Sequence, residues 1–150
     1  MDRPRHLDHP LVKPLLRKAS AANVWLYRRS GGRLGGRFPG GAPVLVLEHV
    51  GRRSGRRLTT PLLYLRDGED LVVVASSGGM KDHPQWYRNV VATPEVSVQV
   101  GRDVRAMRAR VASPDEKARL WPGLVEMYAG YADYAAWTDR EIPVVVLTPR

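Results

Sequence analysis

The sequence predicts a mainly β domain of the α+β kind, a small antiparallel barrel of six strands with an N-terminal helix and short flanking helices. Short apolar runs rich in Val and Leu recur from Val44 to Leu147, separated by turn signals. Most connections between them are short enough for a meander. Helical spacing appears only near the N-terminus, after Gly79 and between residues 113 and 140. At 150 residues the chain suits one domain, burying roughly 68–70% of its unfolded surface. Residues 1–37 read as an arm and amphipathic helix, and residues 38–150 as the barrel.

Each element has a local reason. Residues 1–10, with two Pro and alternating charges, form a loose arm. Leu11, Leu15, Ala19, Ala22 and Leu26 recur at helical spacing up to about Arg29, flanked by Lys13, Arg17, Lys18, Arg28 and Arg29. Such a helix packs on the core, or in addition touches anionic lipid through its basic flanks. Ser30 to Pro43 holds six Gly and two Pro and is an irregular connection. Strands follow at Val44–Val50 and Leu58–Arg66. Asp67-Gly68-Glu69-Asp70 then turns the chain into Leu71–Ser76. His83 to Val91 suits a short helix with Pro84 in its first turn, ended by Pro94. Strands at Glu95–Val100 and Arg105–Ala112 flank a turn at Gly101-Arg102-Asp103. Ser113-Pro114-Asp115-Glu116 is a helix start with Ser as N-cap and Glu at the third position. A second helix spans Tyr131–Arg140, and Ile142–Leu147 is a buried strand.

Between the first two strands lies Gly51-Arg52-Arg53-Ser54-Gly55-Arg56-Arg57, four guanidinium groups around a Gly-Ser-Gly turn. Arg presents a planar fork suited to phosphate and carboxylate oxygens, so the loop reads as a receptor for a polyanion. The bland alternative is a solvated hairpin tip. Thr59, Thr60 and the Ser54-Gly55 backbone add donors beside the guanidiniums, which favours the receptor. Ala75-Ser76-Ser77-Gly78-Gly79 follows a strand directly. The Gly pair permits close approach of a flat ligand and the Ser pair offers donors, or the segment is an ordinary strand-ending loop. Tyr128, Tyr131 and Tyr134 recur every third residue, within about 120° of helical arc. Such a stripe is core, or lines a pocket that Trp86 and Trp137 help to wall.

Composition narrows the function classes. Net charge is +9 and the pI about 10.5, with Arg supplying 20 of the 24 basic residues. A nucleic-acid binder, a membrane-surface protein or an enzyme with an acidic ligand fits that bias. The absence of Cys excludes disulfides, thiolate metal sites and Cys nucleophiles. His6 and His9 lie in the loose arm, His49 and His83 stand apart, and no metal is expected. No apolar run approaches the ~18 residues of a spanning helix and no signal-peptide core is seen, so a cytoplasmic location is expected.

Taken together, several motifs resemble the deazaflavin-dependent nitroreductase and quinone reductase family of actinobacteria. They are Glu48-His49-x-Gly51-Arg52-Arg53-Ser54-Gly55 with Thr60-Pro61-Leu62, Val74-Ala75-Ser76-x-Gly78-Gly79, Pro84-x-Trp86-Tyr87-x-Asn89 and Pro143 to Pro149. The resemblance runs in register from about Leu11 to the C-terminus. It implies a split β-barrel of the FMN-binding type and, as cofactor, reduced coenzyme F-420, an 8-hydroxy-5-deazaflavin with a phospholactyl-oligoglutamate tail. The implied tail dock is Arg52, Arg53, Ser54, Gly55, Arg56 and Arg57, with Thr60, Pro61 and Leu62 beside it. The implied ring contacts are Ser76, Ser77, Gly78 and Gly79, and Ala75, Trp86 and Asn89 are further implied cofactor-binding residues. By the same resemblance Trp86, Tyr128, Tyr131 and Tyr134 line the substrate pocket, and Tyr131, Ser76 and Tyr134 act in the chemistry. The implied acceptor is a quinone or a nitroaromatic ring, the protein sitting in the cytoplasm or on the inner face of the membrane. No nucleic-acid partner is expected. The competing readings are a basic nucleic-acid module and a split barrel that uses FMN or haem.

Overall fold

The computed structural model describes residues 12–37, 41–77 and 82–150, with the backbone alone for 12–20. One antiparallel sheet holds β1 (Val44–Val50), β2 (Arg57–Leu63), β3 (Leu65–Asp67), β4 (Asp70–Val74), β5 (Glu95–Val100), β6 (Asp103–Val111) and β7 (Val144–Pro149). The strand order is β2-β1-β5-β6-β7-β4-β3. Its two edge strands are halves of one extended segment, parted only by Tyr64. The sheet therefore curls until its edges meet in sequence, forming the expected split barrel. The run Leu58–Arg66, read as one strand, changes partner on the way: β2 pairs with β1, and β3 with β4. A curled sheet forces this change, because a strand following its twist must leave one neighbour before it reaches the other.

Alternation along the strands accounts for the helices. Leu45, Leu47, Leu71, Val73, Val96, Val98, Met107, Ala109, Val145 and Leu147 fill the barrel interior. The opposite face of β4 and β7 is equally apolar, with Val72, Val74, Val144 and Val146. It is covered by α3 (Pro114–Met127) and α4 (Gly130–Trp137) through Leu120, Leu124 and Tyr131. Val44 and Val46 on β1 are covered by Val24 and Tyr27 of α1 (Val12–Ser30). Each such side chain contributes about 1.5–3 kcal/mol when fully buried, so a strand apolar on both faces needs cover on both.

The stripe expected on α1 is displaced. Leu11 and the side chains of Leu15 and Ala19 lie outside the described residues, and Ala22 and Leu26 are exposed. Val24 and Tyr27 face the barrel instead. Tyr27 prevails because its ring covers valines while its hydroxyl accepts from Gly101 N–H at 2.7 Å and donates to Gln99 O at 3.3 Å. A periodicity count that ranks Tyr below Leu misses such a two-ended residue. α2 (Gln85–Ala92) starts after Pro84, which is its N-cap and not part of its first turn. The helix expected over Tyr131–Arg140 is α4 and stops at Trp137, while β4 stops at Val74 and β7 starts at Val144. Ser113 caps α3 as expected, its hydroxyl accepting from Glu116 N–H at 3.2 Å. The arm with His6 and His9, and also Gly78 and Gly79, lie outside the described residues.

Register decides what gathers at each end. Val50 pairs with Arg57, Glu48 with Ser97, Glu95 with Arg108, Val111 with Val145 and Val144 with Val74. The loop after β1, the chain leaving β4, α2, the start of α3 and the end of α4 consequently share one end of the barrel.

Candidate active site

The arginine loop is built on a buried base. Gly51 N–H donates to Arg56 O at 2.8 Å and Gly55 N–H to Gly51 O at 2.9 Å, closing a tight turn. Gly55 stands at φ +67°, where an L side chain is strained, and a Cβ on Gly51 would lie 2.5 Å from Ser54 Oγ. Ser54 Oγ accepts from Arg56 N–H at 3.2 Å. Asn89 of α2, buried, accepts through Oδ1 from both Arg52 N–H (3.1 Å) and Arg52 Nη1 (3.0 Å). Its Nδ2 then faces His49 Nδ1 at 3.1 Å, and His49 Nε2 faces Thr60 Oγ1 at 3.0 Å.

The directions follow from the donors. An amide nitrogen can only donate, so His49 Nδ1 is the acceptor and its proton sits on Nε2, which donates to Thr60. His49 is 3% exposed, and burial pushes its pKa down from 6.5 to about 4. A neutral chain from Thr60 to Asn89 thus anchors Arg52, while Arg53, Ser54, Gly55, Arg56 and Arg57 reach solvent. Arg57 lies 3.8 Å from Glu48, which also pairs with Arg28. Pro61 and Leu62 are half-buried on β2 opposite Val46 and Leu45.

At the same barrel end the chain leaves β4 through Ala75, Ser76 and Ser77. Ala75 belongs to the interior and Ser76 is buried. Ser77 adopts φ 48°, a left-handed conformation that is rare outside Gly. Arg140, after α4, donates to Ala75 O (3.2 Å), Ser76 O (2.6 Å) and His83 Nδ1 (3.0 Å).

The three tyrosines do meet. Tyr128 and Tyr134 share a hydroxyl–hydroxyl bond of 2.8 Å, and the Tyr131 ring lies 5.0 Å from that of Tyr128 and 6.3 Å from that of Tyr134. Tyr131 is buried against the outer face of β4 and β7, whereas Tyr134 is half-buried. Burial raises the pKa of both, and neighbouring tyrosine hydroxyls add to the rise. Both therefore stay protonated at neutral pH. Trp137 stacks obliquely on Tyr134 at 5.6 Å. Trp86, by contrast, is 5% exposed inside the barrel and belongs to the interior cluster, not to the tyrosine cluster. A cavity of about 510 Å³ opens between α3 and α4, lined by residues that include Trp121, Ala135, Arg140 and Ile142.

Sequence reasoning missed His49, His83 and Arg140. The two histidines look isolated because their partners are 40 and 57 residues away or, for Thr60, across a strand pair. The only signal was position: His49 continues the inward series Leu45, Leu47 on β1, where an unpartnered imidazole would be costly.

The family model of the F420H(2)-dependent quinone reductases matches residues 19–149. An F420H(2)-dependent quinone reductase of Mycobacterium tuberculosis is 40% identical over 153 residues, covering all of both chains. A second relative from that organism is 48% identical over 118 residues, 79% of this chain and 99% of its own. Among solved structures, an F420-H2 dependent reductase superposes with a TM-score of 0.65 at 39% identity, covering 70% of this chain and 93% of its own.

The His49 geometry yields a pH test. The unfolded chain takes up the imidazole proton near pH 6.5 and the native state only near pH 4, so the native state gains from this group above about 6.5. That gain is lost as pH falls from about 6.5 to about 4. His49→Gln, whose amide can accept from Asn89 and donate to Thr60, should show a shallower fall in denaturation midpoint across that window. Identical slopes for the two proteins would remove His49 from the acid response.

Proposed function

The chain belongs to the F420H(2)-dependent quinone reductase family of oxidoreductases, and on that premise we propose that this barrel end binds the reduced deazaflavin and delivers its hydride to a quinone. One observation supports this placement above the others. The strand register sets an anchored arginine loop and the Ala75–Ser77 segment at the same end of the barrel, and Arg140, just after the helix that carries Tyr131 and Tyr134, bonds to that segment. Family membership takes the place of the nucleic-acid and of the FMN or haem readings.

The residues present suit that cofactor. Its tail is a phosphodiester followed by glutamates, and Arg53 and Arg56 are exposed guanidiniums on a fixed backbone. Among the described residues Trp137 Nε1 is a buried donor with no hydrogen-bond partner, close to Tyr134, and suits a carbonyl oxygen. When bound, the deazaflavin supplies two electrons and one hydrogen together as hydride. Ala75, Ser76 and Ser77 hold the flat ring, and Arg52 to Arg57 with Thr60 hold the tail. Asn89 acts beneath the loop by orienting Arg52. The hydroxyls of Tyr131 and Tyr134 donate to the acceptor oxygen as negative charge gathers there. Solvent supplies the proton that completes the hydroquinone. Nitroaromatic rings, equally flat and electron-poor, would present their oxygens to the same donors.

A membrane-dissolved quinone gives α1 a purpose. No described helix is long and apolar enough to cross a membrane. On α1 and the turn after it, Trp25 (60% exposed), Leu26 and Leu34 stand beside Arg28, Arg29 and Arg33. Exposed aromatic and basic side chains together suit an anionic lipid surface.

The reading is tested by oxidation of the reduced deazaflavin against a panel of quinones and nitroaromatics. No turnover with any acceptor would refute it. Replacing Arg53 and Arg56 with Ala should weaken cofactor affinity about tenfold or more and flatten its salt dependence, since two charge-assisted contacts are removed. Unchanged affinity in a fluorescence titration would refute the dock. Tyr131→Phe keeps the ring packing and should lower turnover about 10²-fold, with little change in cofactor affinity. Equal turnover would return Tyr131 to a purely packing role. In low salt the protein should float with anionic vesicles, and Trp25→Ser combined with Leu34→Ser should release it; flotation indifferent to the double change would exclude this surface.

A further inference from the structure

We propose that Arg140 is the positioning residue of the ring site, one guanidinium clasping the chain leaving β4 at Ala75–Ser76 to the entrance of α2 at His83. This rests on the placement of the ring proposed above. It assigns to one side chain outside the expected motifs the task of fixing the floor of that site.

The clasp uses the shape of the guanidinium. Nη2 donates to Ser76 O at 2.6 Å, while Nη1 donates to Ala75 O at 3.2 Å and to His83 Nδ1 at 3.0 Å. Two successive carbonyls and an imidazole are thus spanned by one rigid plane, which a single ammonium on a flexible stem cannot reproduce. The carbonyls of Ala75 and Ser76 lie past the last β4–β7 pair, Val74 with Val144, and past the last backbone bond between those chains, Ala75 N–H to Pro143 O at 2.9 Å. Ser77 follows immediately at φ 48°. A non-Gly residue in that conformation is strained and persists only where its surroundings impose it. The grip on the preceding carbonyl is the restraint at hand.

The other arm is equally prepared. Burial and the nearby Arg140 and Arg88 cations hold His83 below the usual histidine range, so Nδ1 keeps the lone pair that accepts. The His83 ring is held against Tyr87 of α2 at 4.9 Å. Arg140 itself is aimed by its backbone N–H, which donates to Thr138 Oγ1 at 3.3 Å just beyond α4. The clasp therefore ties the tyrosine helix to the ring segment as well as to α2.

The test compares wild type, Arg140→Lys and Arg140→Gln as full chains. Without cofactor, hydrogen exchange in peptides covering Ala75 to Pro84 should rise about tenfold in both variants while β1 and β7 stay protected. Deazaflavin affinity should fall about tenfold in both, because Lys restores charge but not the fork. Unchanged exchange in the folded variants, or full recovery by Lys, would overturn the clasp. Raised exchange with wild-type cofactor affinity would leave the clasp standing and overturn the placement of the ring. Should both variants fold poorly, His83→Phe, which removes one arm and leaves both carbonyl contacts, should raise exchange near His83 alone; no rise there would equally overturn the clasp.

Discussion

Strand register is the constraint on which the rest depends. The arginine loop and the Ala75–Ser77 segment are separated by β2, β3 and β4 in sequence, yet they share a barrel end because each antiparallel pairing fixes the next. From Glu48 opposite Ser97, through Glu95 opposite Arg108 and Val111 opposite Val145, to Val144 opposite Val74, the site is carried around the wall. A slip of one residue in any pair would exchange the inner and outer faces of a strand. On β1, β4 and β7 both faces are packed, so a slip there would misplace Leu and Val side chains sized for one cluster into another, and on β6 it would turn Met107 and Ala109 to the exposed face. The hydrophobic packing thereby protects the geometry of a site that is itself largely polar.

A second division runs between exposed charge and buried neutral support. Arg53 and Arg56 stay in water, where charge is inexpensive to hold, and contacts among exposed ions such as Arg57 with Glu48 contribute little. The groups beneath them, Thr60, His49 and Asn89, carry no net charge. Burying a neutral, fully paired chain avoids the desolvation that a buried ion pair would meet. The loop is then ordered before any ligand arrives, so binding need not order it.

How much could be read from the sequence follows the same division. Alternation and turn chemistry located the strands, and the Ser113 cap located α3, because these signals are local. The change of partner at Tyr64 was hidden, since curvature belongs to the sheet and not to any window of residues. Tyr27 was missed for Leu26 because hydropathy alone cannot credit a hydroxyl that bonds two backbone groups across the barrel. The motif residues of the arginine loop and the tyrosine stripe were legible as types in a pattern. Their supports were not: Asn89 with His49, and Arg140 with His83, join residues 40 and 57 apart. Trp86, grouped with the tyrosines by its motif, lies in the other cluster because α2 turns it inward to plug the barrel.

α2 is where these supports converge. The short helix is held by Trp86 and Val90, both sunk in the barrel interior among Leu45, Leu47 and Val98. Its neighbour Asn89 faces the arginine loop, while His83, just before its first turn, faces Arg140. Apolar burial supplies most of the energy that keeps the helix in place, but it is non-directional. The polar bonds add little net energy each and are steep in angle and distance, so they set orientation. Neither kind of contact would suffice alone: packing without the bonds would let the loop and the β4 end wander independently, and the bonds without the packing would lack a rigid base. With both, the arginine loop, the end of β4 and the chain after α4 are referred to one small element, and a shift of α2 would move all three together.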